Sequence, residues 1–287
     1  MKRILITGKG SYIGTCFKEY MSQYSNDYYT EELDMLDSSW KEFDFGAFDV
    51  VFHVAGLAHS TPSEDQRELY YKVNTDLVYE VAEKAKKSGV KQFIFMSSII
   101  VYGSGEVGEN RIITSDTPLT PDNFYGDSKK QAEIKINTLR DDSFLVLTLR
   151  PPMIYGKHSK GNYERLSKLA KITPFFPKIS NRRSMLFIDN LSEFVRLAVD
   201  DEFFGVFHPQ NEEYVSTSKL VQEIASLNNH KIRLISFFNP IIVLLKKQSS
   251  INKLFGNFVI DKSLSLYSKP YCKSGFKQSI KKTEVTS

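Results

Sequence analysis

Tyr125-Gly-Asp-Ser-Lys129 places a phenol and an ammonium four residues apart. On a helix that spacing sets both side chains on one face, about 5–6 Å apart at Cβ. A lysine so near favours the phenolate and predicts a tyrosine pKa below its ordinary value of about 10. A phenol tuned in this way exchanges a proton with a carbonyl or carbinol oxygen. Of the fifteen tyrosines in the chain, this one alone has lysine four residues on; without context it would read as a surface helix pair. Upstream, Phe93-Ile-Phe-Met-Ser-Ser98 ends an apolar run in two hydroxyls. If that run is a strand, Ser98 stands at the carboxyl edge of a sheet, where ligands bind in α/β folds, and can hydrogen-bond the same oxygen.

The N-terminus offers a second chemical feature, a seat for a dinucleotide. Lys2-Arg-Ile-Leu-Ile-Thr-Gly-Lys-Gly-Ser-Tyr-Ile-Gly14 is an apolar strand running into a glycine-punctuated turn and then a helix. In a dinucleotide site Gly8 permits the tight turn, a small middle residue admits the pyrophosphate, and Gly14 lets the helix pack on the strand with its positive end toward the anion. The bland alternative is a strand–turn–helix without a ligand. His53-Val-Ala-Gly56 ends a third apolar run in small residues, and Asn74 interrupts an otherwise apolar helix face.

The elements that must position these residues alternate in type. Strand-like runs fall at Arg3–Thr7, Asp27–Thr30, Asp49–Val54, Gln92–Ser97 and Phe144–Leu149. Val73, Leu77 and Val81 at a spacing of four predict a helix closed by Gly89, and a further helix runs from Phe124 to about Leu139. That pattern predicts an α/β fold: a Rossmann-like, doubly wound parallel sheet over residues 1–150 with a smaller C-terminal substrate lobe over 151–287. Helices at Asn190–Asp200 and Thr217–Leu227 and a strand near Val206–His208 are expected in the second half, some segments returning to the sheet.

Composition excludes several classes. With 287 residues, 41% of them hydrophobic, the chain can bury a large core. Cys16 and Cys272 make neither a disulfide framework nor a zinc site, so no metal is expected. The first residues already start a strand, which leaves no room for a leader, and Leu234–Leu245 is too short to cross a bilayer. A soluble cytoplasmic protein is expected. The net charge of +4 is uneven: Lys246 to Lys282 holds nine lysines and one acid, Asp261. The simplest reading is a solvated basic region. A sharper one is contact with anionic lipid, assisted by Leu234–Leu245. No nucleic-acid motif accompanies the lysines, so a nucleic-acid partner is not expected.

Taken together these motifs resemble the extended short-chain dehydrogenase/reductases, the NAD-dependent epimerase/dehydratases of nucleotide sugars, from Lys2 to about Leu227. The resemblance implies NAD(P)(H) as cofactor, with Gly8, Ser11, Tyr12, Ile13 and Gly14 at its pyrophosphate. It implies Asp34 and Met35 beside the adenine, Val54, Ala55 and Gly56 along the cofactor, and Asn74 supporting the proton relay. Ser98, Tyr125 and Lys129 would be the catalytic residues, Lys129 also holding the nicotinamide ribose. Ile99, Pro152, Asn162 and Arg183 would meet the substrate, a UDP-sugar, the arginine suiting its diphosphate. A homodimer is among the assemblies the resemblance admits. Two departures stand out: Ser11 replaces a usual glycine, and Tyr28–Leu33 offers no clear ribose reader, leaving NAD versus NADP open.

The residues after Ser98 narrow the reaction. The 4,6-dehydratases resemble one another in an Asp-Glu pair there, and the keto-sugar epimerising reductases in a cysteine and histidine; this chain has Ile99-Ile100, and His158 alone matches the latter pattern. The remaining readings are reduction of a UDP-4-keto-6-deoxy-N-acetylhexosamine for cell-surface polysaccharide and 4-epimerisation of a UDP-hexose or hexosamine with tightly held NAD. Arg150-Pro-Pro-Met-Ile-Tyr-Gly156 resembles capsule and O-antigen reductases, which places reduction first. A non-catalytic NAD(P)-binding protein of the same fold is the third reading.

Overall fold

The computed structural model describes residues 1–58, 63–105, 107–237, 239–245 and 248–285. The chain divides into two compact units, Met1–Gly103 with Pro118–Pro151 and Ser192–His208, and Ser104–Thr117 with Pro152–Leu191 and Pro209–Ser287.

The first unit is built on six parallel strands: Lys2–Thr7, Tyr28–Leu33, Val50–His53, Gln92–Met96, Leu145–Leu149 and Gly205–Phe207. Their spatial order is sixth, fifth, fourth, third, first, second. The chain therefore moves from the first strand to one side, then returns past it to the other. That reversal opens a crevice at the carboxyl ends of the first and third strands, where ligands bind in open α/β sheets. Parallel strands covered on both faces read as near-continuous apolar runs. Accordingly Leu5, Val51, Phe93, Phe95 and Val146 form one buried cluster with Val78, Val81, Ala82 and Ala85 of the helix Leu77–Lys87 and Ala132 and Ile136 of the helix Phe124–Asn137. Facing the other side, Phe52 meets Phe17 of the helix Tyr12–Met21 edge-on, ring centroids 5.0 Å apart.

The Val73–Leu77–Val81 pattern does not continue as a regular face. Lys72–Asp76 forms a π turn, which inserts a residue and rotates the buried side onto Asn74, Thr75, Val78, Val81, Ala82 and Ala85. Single π turns of this kind often mark functional positions. Here the wide turn drives a polar side chain, Asn74, wholly inside.

In the second unit three short parallel strand pairs, Met153–Tyr155 with Met185–Phe187, Phe175–Pro177 with Arg233–Ile235, and Ile112–Ile113 with Val259–Ile260, alternate with helices including Asn162–Ile172, Thr217–Leu227 and Phe276–Glu284. The helix Ile188–Asp200 begins in this unit and ends in the first. The fold also uses the C-terminal end: the Tyr155 hydroxyl pairs with Ser279 at 2.6 Å, and the buried Glu284 carboxylate accepts from Tyr163 and Ser167. Among the described residues no helix is long and apolar enough to cross a membrane. Lys246 and Lys247, which open the lysine-rich stretch, lie outside the described residues.

Candidate active site

At the crevice the first and third strands are knitted backbone to backbone. Val54 and Ala55 donate to the Thr7 carbonyl at 3.0 and 2.9 Å. Gly8 has a φ of +120°, and a Cβ there would lie 2.7 Å from the Ala55 nitrogen, so only glycine fits. Ser11 caps the helix Tyr12–Met21, its Oγ accepting from the Gly14 amide at 3.2 Å. A Cβ on Gly14 would stand 3.0 Å from Ile6 and 3.2 Å from Val54, which explains the close helix–strand packing. Tyr12 and Ile13 open that helix, whose first amides have no partner within it and whose dipole favours an anion. The turn thus fits a dinucleotide pyrophosphate, and Ser11 has a structural reason to replace glycine.

The second strand contributes a group that sequence reasoning missed. Leu33 accepts from the amides of Gly8 and Lys9, so the strand end lies against the glycine turn. That brings the Glu32 carboxylate to the Gly10 amide, 3.3 Å, and to Lys18, 3.2 Å. The signal in the sequence was its position: an acid near the end of the second strand, about 20 residues after the turn. Asp34 is exposed beyond it and caps the Leu36 amide at 2.9 Å, while Met35 packs on the buried cluster.

Ser98, Tyr125 and Lys129 converge at the end of the fourth strand. Asn123 caps the helix Phe124–Asn137 by accepting from the Gly126 amide at 2.9 Å. A Cβ on Gly126 would stand 2.7 Å from the Ile100 carbonyl, so the helix start rests on the turn Ile99–Tyr102 that Ser98 caps. This contact sets the Ser98 hydroxyl beside the Tyr125 phenol. Lys129 is buried; its ammonium donates to the Met96 carbonyl at 2.9 Å and lies 4.8 Å over the Phe95 ring. Gly56 makes room for it, since a Cβ would meet Lys129 Nζ at 3.1 Å and Asn74 Oδ1 at 3.0 Å. Asn74 accepts from the Leu57 amide at 2.8 Å and donates to the Leu57 carbonyl and Ser128, tying the loop after the third strand to the helix Phe124–Asn137.

The protonation states correct an expectation. Burial pushes the Tyr125 phenol up to about 12, opposed by the Ser98 hydrogen bond and reinforced by Tyr70. The Lys129 ammonium, directed at the Met96 carbonyl, does not hold the phenol down. Burial instead pushes Lys129 itself down to about 8, with Glu133 pulling the other way. His53, bonded to Thr7 Oγ at 2.8 Å, is held neutral: burial and then Lys129 push it down to about 3.

Beneath the site lies a buried polar network also not read from sequence. Glu133, one turn beyond Lys129, pairs with Arg150 at 2.6 Å and accepts from Ser97, the neighbour of Ser98. Arg150 donates to the Tyr102 hydroxyl at 2.7 Å, which pairs with His208 at 2.8 Å. The arginine thus neutralises a carboxylate that would otherwise be costly to bury.

In the second unit Asn162 and Arg183 line one small cavity with Met153, Leu166 and Thr217. Burial pushes the Arg183 guanidinium down to about 10. Pro152 is buried at the start of this unit and Ile99 is buried in the first. His158 is exposed with φ of +63°.

The model of the NAD dependent epimerase/dehydratase family matches residues 4–202. UDP-glucose 4-epimerase of Vibrio cholerae is 31% identical over 248 residues, 78% of this chain and 75% of that protein. The N-acetyl-alpha-D-glucosaminyl-diphospho-ditrans,octacis-undecaprenol 4-epimerase of Escherichia coli O157:H7 is 26% identical over 80% of this chain and 73% of its own length. The solved UDP-N-acetylglucosamine 4-epimerase of Methanobrevibacter ruminantium M1, in complex with UDP-N-acetylmuramic acid, superposes with a TM-score of 0.76 at 16% identity, covering 98% of this chain and 96% of that one, a likeness of fold.

Proposed function

The chain belongs to the NAD dependent epimerase/dehydratase family and is an NAD(P)-dependent enzyme, and on that premise we propose that it is a 4-epimerase of a UDP-linked hexose or N-acetylhexosamine. The convergence of Ser98, Tyr125 and Lys129 at the crevice carries this reading. The 4-epimerases of Vibrio cholerae and Escherichia coli among the relatives favour epimerisation over the reduction that the Arg150–Gly156 motif suggested.

In this mechanism Tyr125 takes the proton of the sugar C4 hydroxyl as C4 is oxidised to a ketone, and returns it when the ketone is reduced from the opposite face. Nicotinamide, when bound, would supply the hydride acceptor and donor. Ser98 hydrogen-bonds the same oxygen and keeps Tyr125 oriented. Lys129, fixed by the Met96 carbonyl and the space at Gly56, holds a ribose hydroxyl. Asn162 and Arg183 bind the diphosphate of the sugar nucleotide. Glu32 reads the adenosine ribose and sets a preference for NAD, because its carboxylate at Gly10 repels a 2′-phosphate.

Purified enzyme incubated with UDP-N-acetylglucosamine or UDP-glucose, without added nucleotide, should yield the galacto epimer, and denaturation should release NAD. No epimer, together with stoichiometric NAD(P)H oxidation on a UDP-4-keto-6-deoxy sugar, would replace this reading with the reductase one. Glu32→Ala should weaken NAD binding at least about tenfold, the loss of a charged hydrogen bond, while leaving NADP binding equal or stronger.

A further inference from the structure

Two stretches of the second unit contain no acidic residue. Residues 165–188 hold six basic side chains, and residues 224–260 hold five. The fold joins these stretches: Phe175–Pro177 and Arg233–Ile235 pair in parallel, with Phe175 and Arg233 as register partners on one face. The seam continues on both sides, as Arg233 donates from its amide to Pro174 at 2.9 Å and Asn239 Nδ2 donates to the Lys178 carbonyl at 2.9 Å.

Large apolar side chains point outward along this seam. Ile172 is 72% exposed, Phe175 49%, Phe237 79% and Leu244 81%. Beside them Lys178, Lys231 and Arg233 are exposed. The short helix Asn239–Leu244 is anchored through buried Ile242, which leaves Leu244 presented outward. At six residues this helix is far too short to cross a bilayer.

We infer that this seam of the second unit docks on an anionic membrane surface. Lys168 and Lys171 are paired with Glu164 and Glu284, but Lys178, Lys231 and Arg233 meet no carboxylate among the described residues. Such groups suit phospholipid headgroups, and lysine or arginine stems reach the headgroup level while their flanks stay apolar. The four projecting side chains suit the boundary of the acyl region, where interfacial segments bury an apolar face. A nucleic-acid backbone would match the charge but leave the four apolar side chains in water. An acidic protein partner would match the charge alone as well. The inference does not depend on which reaction the first unit catalyses.

The full chain is sedimented with phosphatidylcholine vesicles, plain or carrying about 30 mol% phosphatidylglycerol, a composition that mimics an anionic leaflet. Partition onto the anionic vesicles should be at least about tenfold higher, and should weaken as salt rises from about 0.05 to about 0.5 M. Phe237→Ser with Leu244→Ser, both largely exposed, should reduce partition at least about tenfold with cofactor content unchanged. Lys178→Glu with Arg233→Glu should remove the salt-sensitive part. Equal binding to both vesicles, no binding to either, or binding indifferent to these substitutions would overturn the inference. So would a dimer in light scattering that Phe237→Ser with Leu244→Ser converts to monomer while vesicle binding stays nil, since a second copy would then be the occupant.

Discussion

Replacing Lys129 by methionine should make the cofactor-free protein more stable while it disables the site. Burial has moved this lysine from its ordinary 10.5 down to about 8. At about 1.36 kcal/mol per pH unit, that displacement is a cost of about 3 kcal/mol carried by the charged form in the fold. Methionine fills similar space without the charge, but gives up the bond to the Met96 carbonyl, about 1 kcal/mol. The net expectation at pH 7 is a gain of about 2 kcal/mol, with turnover reduced by at least about a hundredfold. The pH dependence supplies the decisive check. Because the folded-state pKa lies below the unfolded one, the unfolded chain binds more protons between about pH 8 and 10.5. Wild-type stability therefore rises with pH through that window, and the variant lacks this contribution. Urea unfolding of cofactor-stripped protein at pH 7 and pH 10 should show the variant's advantage shrinking by about 2 kcal/mol. A variant less stable than wild type at pH 7, or an advantage that persists unchanged at pH 10, would refute the reasoning that burial without a paired carboxylate sets the state of Lys129.

Tyr125→Phe removes the proton carrier and should cut turnover by about a hundredfold to ten-thousandfold with cofactor content intact, measured by steady-state kinetics and released nucleotide. Gly8→Ala forces a side chain into a positive-φ position 2.7 Å from the Ala55 nitrogen; the expected loss is about 1–3 kcal/mol of stability, and the protein should purify without nucleotide. Glu133→Gln leaves half-buried Arg150 uncompensated and should destabilise by about 2–3 kcal/mol, seen as a lower urea midpoint. The double variant Glu133→Gln with Arg150→Met should recover part of that loss, which a purely steric effect at position 133 would not allow.

Much of the scaffold was legible because its signals are local. The apolar run ending at Thr7, the turn from Gly8 to Gly14 and the runs ending at His53, Met96 and Leu149 each declare a buried parallel strand through a few adjacent side chains. The spacing of Tyr125 and Lys129 likewise fixes a shared helix face within a single turn. The chain's own pattern failed at the π turn, where one inserted residue carried Asn74 inward and left Val73 and Leu77 half-buried.

What the sequence determined by itself, then, is which elements form and which chemical groups stand at their carboxyl ends. What only the tertiary structure decided is the state and company of those groups. Glu32 meets the glycine turn because Leu33 pairs with Gly8 across two strands. Lys129 reaches Met96 because Gly56, far away in sequence, has no side chain to block it. Tyr125 is raised, against the expectation from its lysine neighbour, because burial outweighs a charge directed elsewhere. Periodicity and turn chemistry are written within a few residues of chain. Desolvation and strand register depend on segments brought together from far apart, and so appear only once the chain is folded.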